Sequence, residues 1–339
     1  MSEDSLREAL VRRLHQRAIV QGSIVLPAVP SMLEEYVIMC DRVFRGIGVT
    51  FSQEELGQLR DVLKDQLDAA YQATSRSDIV ITYDSPVGLR VNYHVRAQWS
   101  SLDAAYEHWV STREPPLFGT QPDARVWSVA GDMADPASCP VLDLGAGTGR
   151  NALALARRGH SVDAVEVTPG FADSLRRDSH QESLPVRVIE RDIFAGTMDL
   201  RDDYGIVILS EVASDFRTTG QLRAAFEMAS ACLAPGGRLV MNAFLPRGTY
   251  APDAAARELG QQCYTSIFTR AEIDAAVAGL PLVLESDDPA YGYERAHLPQ
   301  GAWPPTSWYE RWASGQDVFD IERGYSPIEL RWLVFCKGA

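Results

Sequence analysis

Val141-Leu-Asp-Leu-Gly-Ala-Gly-Thr-Gly149 is a short apolar run that ends in alternating glycines, and Arg150-Asn-Ala-Leu-Ala-Leu-Ala156 follows it directly. The run predicts a strand, the glycines a tight turn and the Ala/Leu segment a helix, which together open a βαβ unit. In a parallel sheet built from such units, the ligand sits beyond the carboxyl ends of the strands, where strand order reverses. Glycines at 145, 147 and 149 let backbone approach that ligand where a Cβ would collide. A dinucleotide loop reads G-x-G-x-x-G, and counting from Gly145 puts Arg150 where the third glycine belongs. Asp143, two residues before the first glycine, can instead face an ammonium group, so the ligand implied is a zwitterion rather than a pyrophosphate.

Two more acids follow at strand ends. His160-Ser-Val-Asp-Ala-Val-Glu166-Val167 places Glu166 where both carboxylate oxygens can accept from ribose hydroxyls, while Asp163 lies inside the strand and suits that role less well. Val188-Ile-Glu-Arg-Asp192-Ile193 places Asp192 where it can accept from an exocyclic adenine amine. Alone, each acid reads as a solvated loop residue; three after successive strands read as a binding site. Further strand-like runs appear at Gly205–Leu209, Arg238–Asn242, Leu282–Glu285 and Leu330–Phe335, with helical stretches at Arg150–Arg158, Gly170–Asp178, Leu222–Leu233 and Arg270–Ala278. Near-continuous apolar strands such as Ile206-Val-Ile-Leu209 suit a parallel sheet covered on both faces.

On these residues, 141–245 resembles the class I, Rossmann-like methyltransferases. Asp143, Gly145, Ala146, Gly147 and Gly149 match that class's first motif, Glu166 with Val167 its ribose-binding position and Asp192 with Ile193 its adenine-binding position. Leu233-Ala-Pro-Gly-Gly-Arg-Leu239 matches its turn into the fifth strand. The resemblance implies S-adenosyl-L-methionine as cofactor, S-adenosyl-L-homocysteine as product, and a seven-stranded, mostly parallel α/β sheet whose last strand, Leu330–Phe335, runs antiparallel. A narrower likeness over 141–339 rests on Cys263-Tyr-Thr-Ser-Ile-Phe-Thr-Arg-Ala-Glu-Ile273, Tyr291-Gly-Tyr-Glu294 and Glu329-Leu-Arg-Trp-Leu-Val-Phe335. These are similar to tellurite-resistance-type methyltransferases, which methylate small molecules.

Upstream, residues 1–124 read as an N-terminal helical cap domain containing a β-hairpin, and 125–339 as the methyltransferase domain with an aromatic insertion at about 298–328. Leu6, Leu10 and Leu14 recur at helical spacing, as do Leu33, Tyr36, Val37, Cys40, Phe44 and Ile47, and again Leu56, Leu59, Leu63, Leu67 and Ala70; all three stripes are expected to face a core. Ser52 and Glu55 have capping-box spacing, with Phe51 placed to staple the entry. Ile79, Ile81 and Tyr83 then alternate before a turn at 84–88, and Leu89, Val91, Tyr93, Val95 and Ala97 alternate after it. The polar face, with His94 and Arg96, meets either water or a substrate cavity. A helix at Leu102–Val110 and a break at Pro115-Pro116 lead into a polar stretch near Gly119–Pro140.

Composition narrows the function. A formal net charge of −14 repels phosphate backbones, and no basic stripe with interleaved aromatics appears, so nucleic acid is not expected as a partner. No apolar run reaches the length of a membrane span, and the amino terminus lacks a signal-peptide pattern, so a cytoplasmic protein without membrane attachment is expected. Five scattered cysteines with no C-x-x-C pair read as reduced thiols and not as metal ligands.

For the chemistry, Ser210 and Glu211 follow the fourth strand, where this class meets its methyl donor; Glu211 reads either as a contact to donor or acceptor or as a loop acid. His297 is a base by residue type, or a structural histidine. Arg217, Tyr291, Tyr293, Trp303, Trp308 and His94 are the substrate-binding candidates. The aromatics from Trp303 to Tyr325 form either an apolar lid or the packing of an insertion against the prefix. The expected function is methyl transfer to a small molecule of the specialised-metabolite kind, with a homodimer formed through the N-terminal region. The alternatives are a cofactor-binding protein of the same fold with a different reaction, or a scaffold.

Overall fold

The computed structural model describes residues 3–15, 17–74, 76–86, 90–99, 110, 112, 117–195 and 199–338. It divides the chain into two compact units, Met1–Ala105 with Asp253–Gln262, and Tyr106–Pro252 with Cys263–Ala339. Apart from Val110, the expected helix at Leu102–Val110 and the break at Pro115-Pro116 lie outside the described residues.

In the first unit, helices α1 (Glu3–His15), α2 (Leu33–Gly46) and α3 (Gln53–Ala73) accompany strands β1 (Ile19–Pro27), β2 (Ser77–Pro86) and β3 (Asn92–Trp99). Apolar residues of α2 and α3, Phe44, Leu59, Leu63 and Leu67 among them, pack with Ile79, Ile81 and Val95 of the sheet. The α3 capping box forms, with the Ser52 side chain accepting from Glu55 N–H and the Glu55 carboxylate accepting from Ser52 N–H at 2.8 Å. Two expectations need correction. The hairpin is part of a three-stranded antiparallel sheet in the order β1-β2-β3, and β1 escaped the sequence because Ile19 and Val25 put apolar residues on its outward face. Gly22 interrupts that strand because a Cβ there would meet the Tyr83 hydroxyl at 2.6 Å. The Leu6, Leu10 and Leu14 stripe of α1 faces no core; these residues are 49%, 63% and 66% exposed.

The second unit is built on β4 (Val141–Leu144), β5 (Val162–Glu166), β6 (Val186–Glu190), β7 (Tyr204–Leu209), β8 (Leu233–Pro246), β9 (Leu282–Pro289) and β10 (Ile328–Lys337). Their order is β6-β5-β4-β7-β8-β10-β9, with β4, β5, β6, β7 and β8 paired in parallel and β10 antiparallel to both neighbours. This is the seven-stranded, mostly parallel Rossmann-like sheet that the resemblance implied. Strand order reverses between β4 and β7, so the turn after Leu144 and the segment after Leu209 open at the switch point.

Helices α4 (Ala124–Gly131), α5 (Arg150–Arg157), α6 (Pro169–Gln181) and α7 (Thr219–Cys232) precede α8 (Ala254–Gln262), α9 (Arg270–Val277), α10 (Ala290–His297) and α11 (Tyr309–Ala313). Four of these were missed. α4 occupies the stretch read as polar linker, α10 follows directly on β9, α11 lies in the aromatic insertion, and α8 belongs to the first unit. There Ser31 donates to Glu258 at 2.8 and 2.9 Å, and the Tyr71 hydroxyl donates to Gln261 at 2.9 Å. Within the second unit the aromatic insertion packs on the sheet, since Trp312 meets Phe244 edge-on at 5.1 Å and donates its indole N–H to the Tyr264 carbonyl at 2.7 Å. No helix among the described residues is long and apolar enough to cross a membrane.

Candidate active site

The glycine turn is held from both sides. Gly145 and Ala146 donate their backbone N–H groups to the Val165 carbonyl at 2.8 and 3.0 Å, which ties the turn to the end of β5. Gly147 N–H donates to Glu166 Oε2, and Thr168 N–H to Glu166 Oε1, both at 2.7 Å. Each Glu166 oxygen keeps a lone pair, so the carboxylate that clamps the turn can still accept from a diol. Burial raises the Glu166 pKa, and the backbone donors of Thr168 and Gly147 work the other way. The glycines have a reason beyond ligand approach. A Cβ on Gly145 would meet the Val212 side chain at 2.4 Å, and one on Gly149 the Leu175 side chain at 2.3 Å, both at positive φ.

Asp143 is 2% exposed, and its Oδ2 has no hydrogen-bond partner among the described residues. Burial, then Asp123, push its carboxyl up to about 7, against the pull of Arg150. A buried carboxylate oxygen without a donor is a standing cost, and a cationic N–H donor from a ligand would relieve it.

Arg150 is the hub of this region. It is the first residue of α5, where the helix dipole disfavours a cation, and it is offset by two acids: Nη2 lies 2.9 Å from Asp123 Oδ1 and 2.7 Å from Glu211 Oε1. Burial opposes its charge, and Asp123 and Glu211 more than restore it. Asp123 also accepts from Ser210 Oγ at 2.7 Å and from Asn151 Nδ2 at 2.8 Å. Glu211 has φ +61°, a conformation that costs a non-glycine residue free energy, and its N–H donates to Asn242 Oδ1 at 2.7 Å. Burial raises the Glu211 pKa while Arg150 lowers it.

Glu294 completes the constellation by capping another helix. It accepts from Ala124 N–H at 2.8 Å and Arg125 N–H at 3.2 Å, the first residues of α4, and from the Trp332 indole at 2.9 Å. Burial, then Asp123, raise it to about 7. The cap frees Asp123, the residue before α4, to turn its side chain toward Arg150.

The structure thus brings Asp143, Glu166, Ser210 and Glu211 together with the glycines at the switch point. Val167 and Ile193 are half-buried at the ends of β5 and β6, and the exposed Asp192 accepts from Phe194 N–H at 2.8 Å. Arg217 lies half-buried just beyond the 3₁₀ turn Ala213–Asp215. His297 is exposed, stacks on Tyr293 at 4.2 Å and lines a separate cavity of about 600 Å³ with Trp127, Arg157 and Arg158. Tyr291 donates to Glu310 at 2.9 Å and meets Trp303 edge-on at 4.9 Å; Trp308 packs against Trp312 at 5.6 Å. His94 is exposed on β3 of the first unit.

Sequence reasoning missed Asp123, Arg150 as an ion-pair centre, Asn242 and Tyr309. The available signal was the cation at the start of α5, which a helix tolerates when acids approach it.

Residues 141–237 match the family model described as a methyltransferase domain. The matched segment holds the glycine turn, Glu166, Asp192 and Glu211. Among solved structures, this domain's fold is similar to that of a Galdieria sulphuraria protein described as a sarcosine dimethylglycine methyltransferase. That match has 14% identity and a TM-score of 0.50, covering 70% of this chain and 98% of that one. Geranyl diphosphate C-methyltransferase from Streptomyces coelicolor A3(2) matches at 16% identity and a TM-score of 0.49, over 63% of this chain and 75% of that one. At 14% identity the likeness to the Galdieria sulphuraria protein shows the fold alone. A stretch of 108 residues is 35% identical to Hemagglutinin 1 of Eikenella corrodens, and this spans about a third of each chain, 32% here and 35% there.

Proposed function

We propose that this chain is an S-adenosyl-L-methionine-dependent methyltransferase acting on a small-molecule acceptor. The observation that carries the reading is the buried Asp143 carboxylate, with Oδ2 unpartnered among the described residues beside the glycine turn. It suits the cofactor's ammonium group; Glu166 suits the ribose hydroxyls and Asp192 the adenine amine. When bound, S-adenosyl-L-methionine supplies a methyl group already made electrophilic by its sulfonium. What is left to the protein is to orient the acceptor and, for a hydroxyl or acidic carbon, to take its proton.

Glu211 is the favoured base. Arg150 supports its ionised form, it follows directly on the switch-point strand β7, and it keeps a strained backbone conformation that glycine would adopt at lower cost. His297 is disfavoured because it lines the separate cavity. Glu211→Gln is expected to lower the single-turnover rate of methyl transfer by roughly a hundredfold or more. The cofactor Kd should stay within about twofold, and His297→Ala should match the parent. An unchanged rate in Glu211→Gln would remove that residue from the mechanism. Transfer of label from methyl-labelled cofactor to an acceptor tests the activity itself.

A further inference from the structure

Tyr309, on α11, is 1% exposed, and its hydroxyl has no hydrogen-bond partner among the described residues. Asn242, on β8, is equally buried and leaves Nδ2 unpaired among them. The Asn242 amide is oriented, because Oδ1 accepts the Glu211 backbone N–H at 2.7 Å and the nitrogen must then point the other way. Trp332 stands opposite Asn242 in the β8–β10 ladder, so the two side chains share one face of the sheet, and on that face the Trp332 indole reaches Glu294. Tyr309 belongs to the same surroundings. Burial first, then Glu294, Asp123 and Glu211, hold its phenol well above the usual ionisation range, with Arg150 opposing, so it remains a donor.

Two donors in want of an acceptor therefore stand in one buried region with the Glu211 carboxylate. Unsatisfied buried donors are costly and call for a partner. That partner is not an anion, since Asp123, Glu211 and Glu294 already gather around Arg150. We infer that Tyr309 and Asn242 bind the methyl acceptor through a neutral hydroxyl group and hold that oxygen beside Glu211. The inference rests on the methyl-transfer reading of the same site and adds the chemical class of the acceptor. In the reaction the acceptor O–H bond breaks and its proton passes to Glu211. The oxygen lone pair forms the new O–CH₃ bond, and the S–CH₃ bond breaks with its electron pair remaining on sulfur, so the sulfonium becomes a neutral thioether. Tyr309 and Asn242 donate to the oxygen as negative charge gathers on it, which is where fixed donors lower a barrier most. Trp303 borders the Tyr309 ring edge-on at 5.7 Å, which suits a flat acceptor.

The test uses the full chain saturated with S-adenosyl-L-homocysteine, with phenol, catechol and benzyl alcohol as neutral hydroxyl probes and benzoate and phenyl phosphate as anionic ones. Binding is followed by ligand-observed NMR titration. At least one neutral probe should bind saturably, at least tenfold more tightly than either anion. Tyr309→Phe should weaken that probe about tenfold, leave the S-adenosyl-L-homocysteine Kd within twofold, and keep or raise Tm, because only an unsatisfied hydroxyl is removed. A merely structural Tyr309 would move Tm and leave probe affinity alone. The inference is overturned if no neutral probe saturates, if the anions bind equally well, or if Tyr309→Phe leaves probe affinity unchanged. If S-adenosyl-L-homocysteine itself fails to bind, the methyltransferase reading falls; if it binds and the probes behave otherwise than stated, only the acceptor assignment falls.

Discussion

Asp143→Asn is expected to weaken S-adenosyl-L-homocysteine binding at pH 8 by more than a hundredfold while making the ligand-free protein more stable. The two effects have one cause. The carboxylate sits where the ligand's ammonium would be its charged donor, and removing one member of a buried ion pair costs about 3–5 kcal/mol of binding. Without ligand, the same carboxylate is buried and Oδ2 has no donor among the described residues, and burial holds its pKa at about 7, above the ordinary value of 3.8. An acid with a raised native pKa contributes stability that is present below its unfolded value and lost as pH climbs through the native one. For Asp143 that window runs from about pH 4 to about pH 7, and the loss is on the order of 4 kcal/mol. The amide cannot ionise, so Asp143→Asn should raise Tm at pH 8 and flatten its dependence on pH. Thermal melts at pH 5 and pH 8, with ligand titrations beside them, check both halves. A lower Tm with unchanged binding would make Asp143 a structural residue.

Arg150→Met is expected to destabilise the second unit by about 3–5 kcal/mol at pH 8, because it leaves Asp123 and Glu211 buried without their cation. Relieving the cation at the start of α5 works the other way, but a helix-dipole effect of about 0.3–1 kcal/mol is too small to compensate. With the guanidinium gone, the buried Glu211 carboxyl loses the charge that lowers its pKa and keeps its proton to higher pH in the folded state. Its stability contribution is then lost as pH rises, and the deficit should shrink at pH 5. Urea denaturation followed by tryptophan fluorescence reads this out, since Trp99 is the sole tryptophan in the first unit's sequence and the other six lie in the second. Equal denaturation midpoints for the variant and its parent at pH 8 would contradict the Arg150 account.

The Rossmann-like sheet was legible because its signals are local and redundant. Ile206-Val-Ile-Leu209 is apolar at every position because both faces are covered, and Gly145, Gly147 and Gly149 mark a turn that side chains cannot occupy. The last strand was legible too, although its antiparallel direction came from resemblance and not from the residues. β1 was not, because a glycine and outward-facing apolar residues blur its alternation. The stripe of α1 misled because spacing reports which residues share a face, not what that face meets. In the site, Asp143, Glu166 and Glu211 could be named since each lies at or just beyond the carboxyl end of a strand. Asp123 could not. Its part depends on Glu294, distant in sequence, capping α4 in its place, and on Arg150, which first reads only as the residue that breaks a dinucleotide loop. Tyr309 looked like one more aromatic in a rich segment; what distinguishes it is a hydroxyl buried among charges from other elements.

Calorimetric titration of S-adenosyl-L-methionine into the protein, at pH 6 and pH 8 and in two buffers of different ionisation enthalpy, tests the assignment of Asp143 most directly. If its carboxylate receives the ammonium group, binding at pH 6 will release nearly one proton, because ligand contact pulls a group that ionises near 7 into its charged form, and the release will fade at pH 8. Binding without proton release at pH 6, or no binding at either pH, would contradict it.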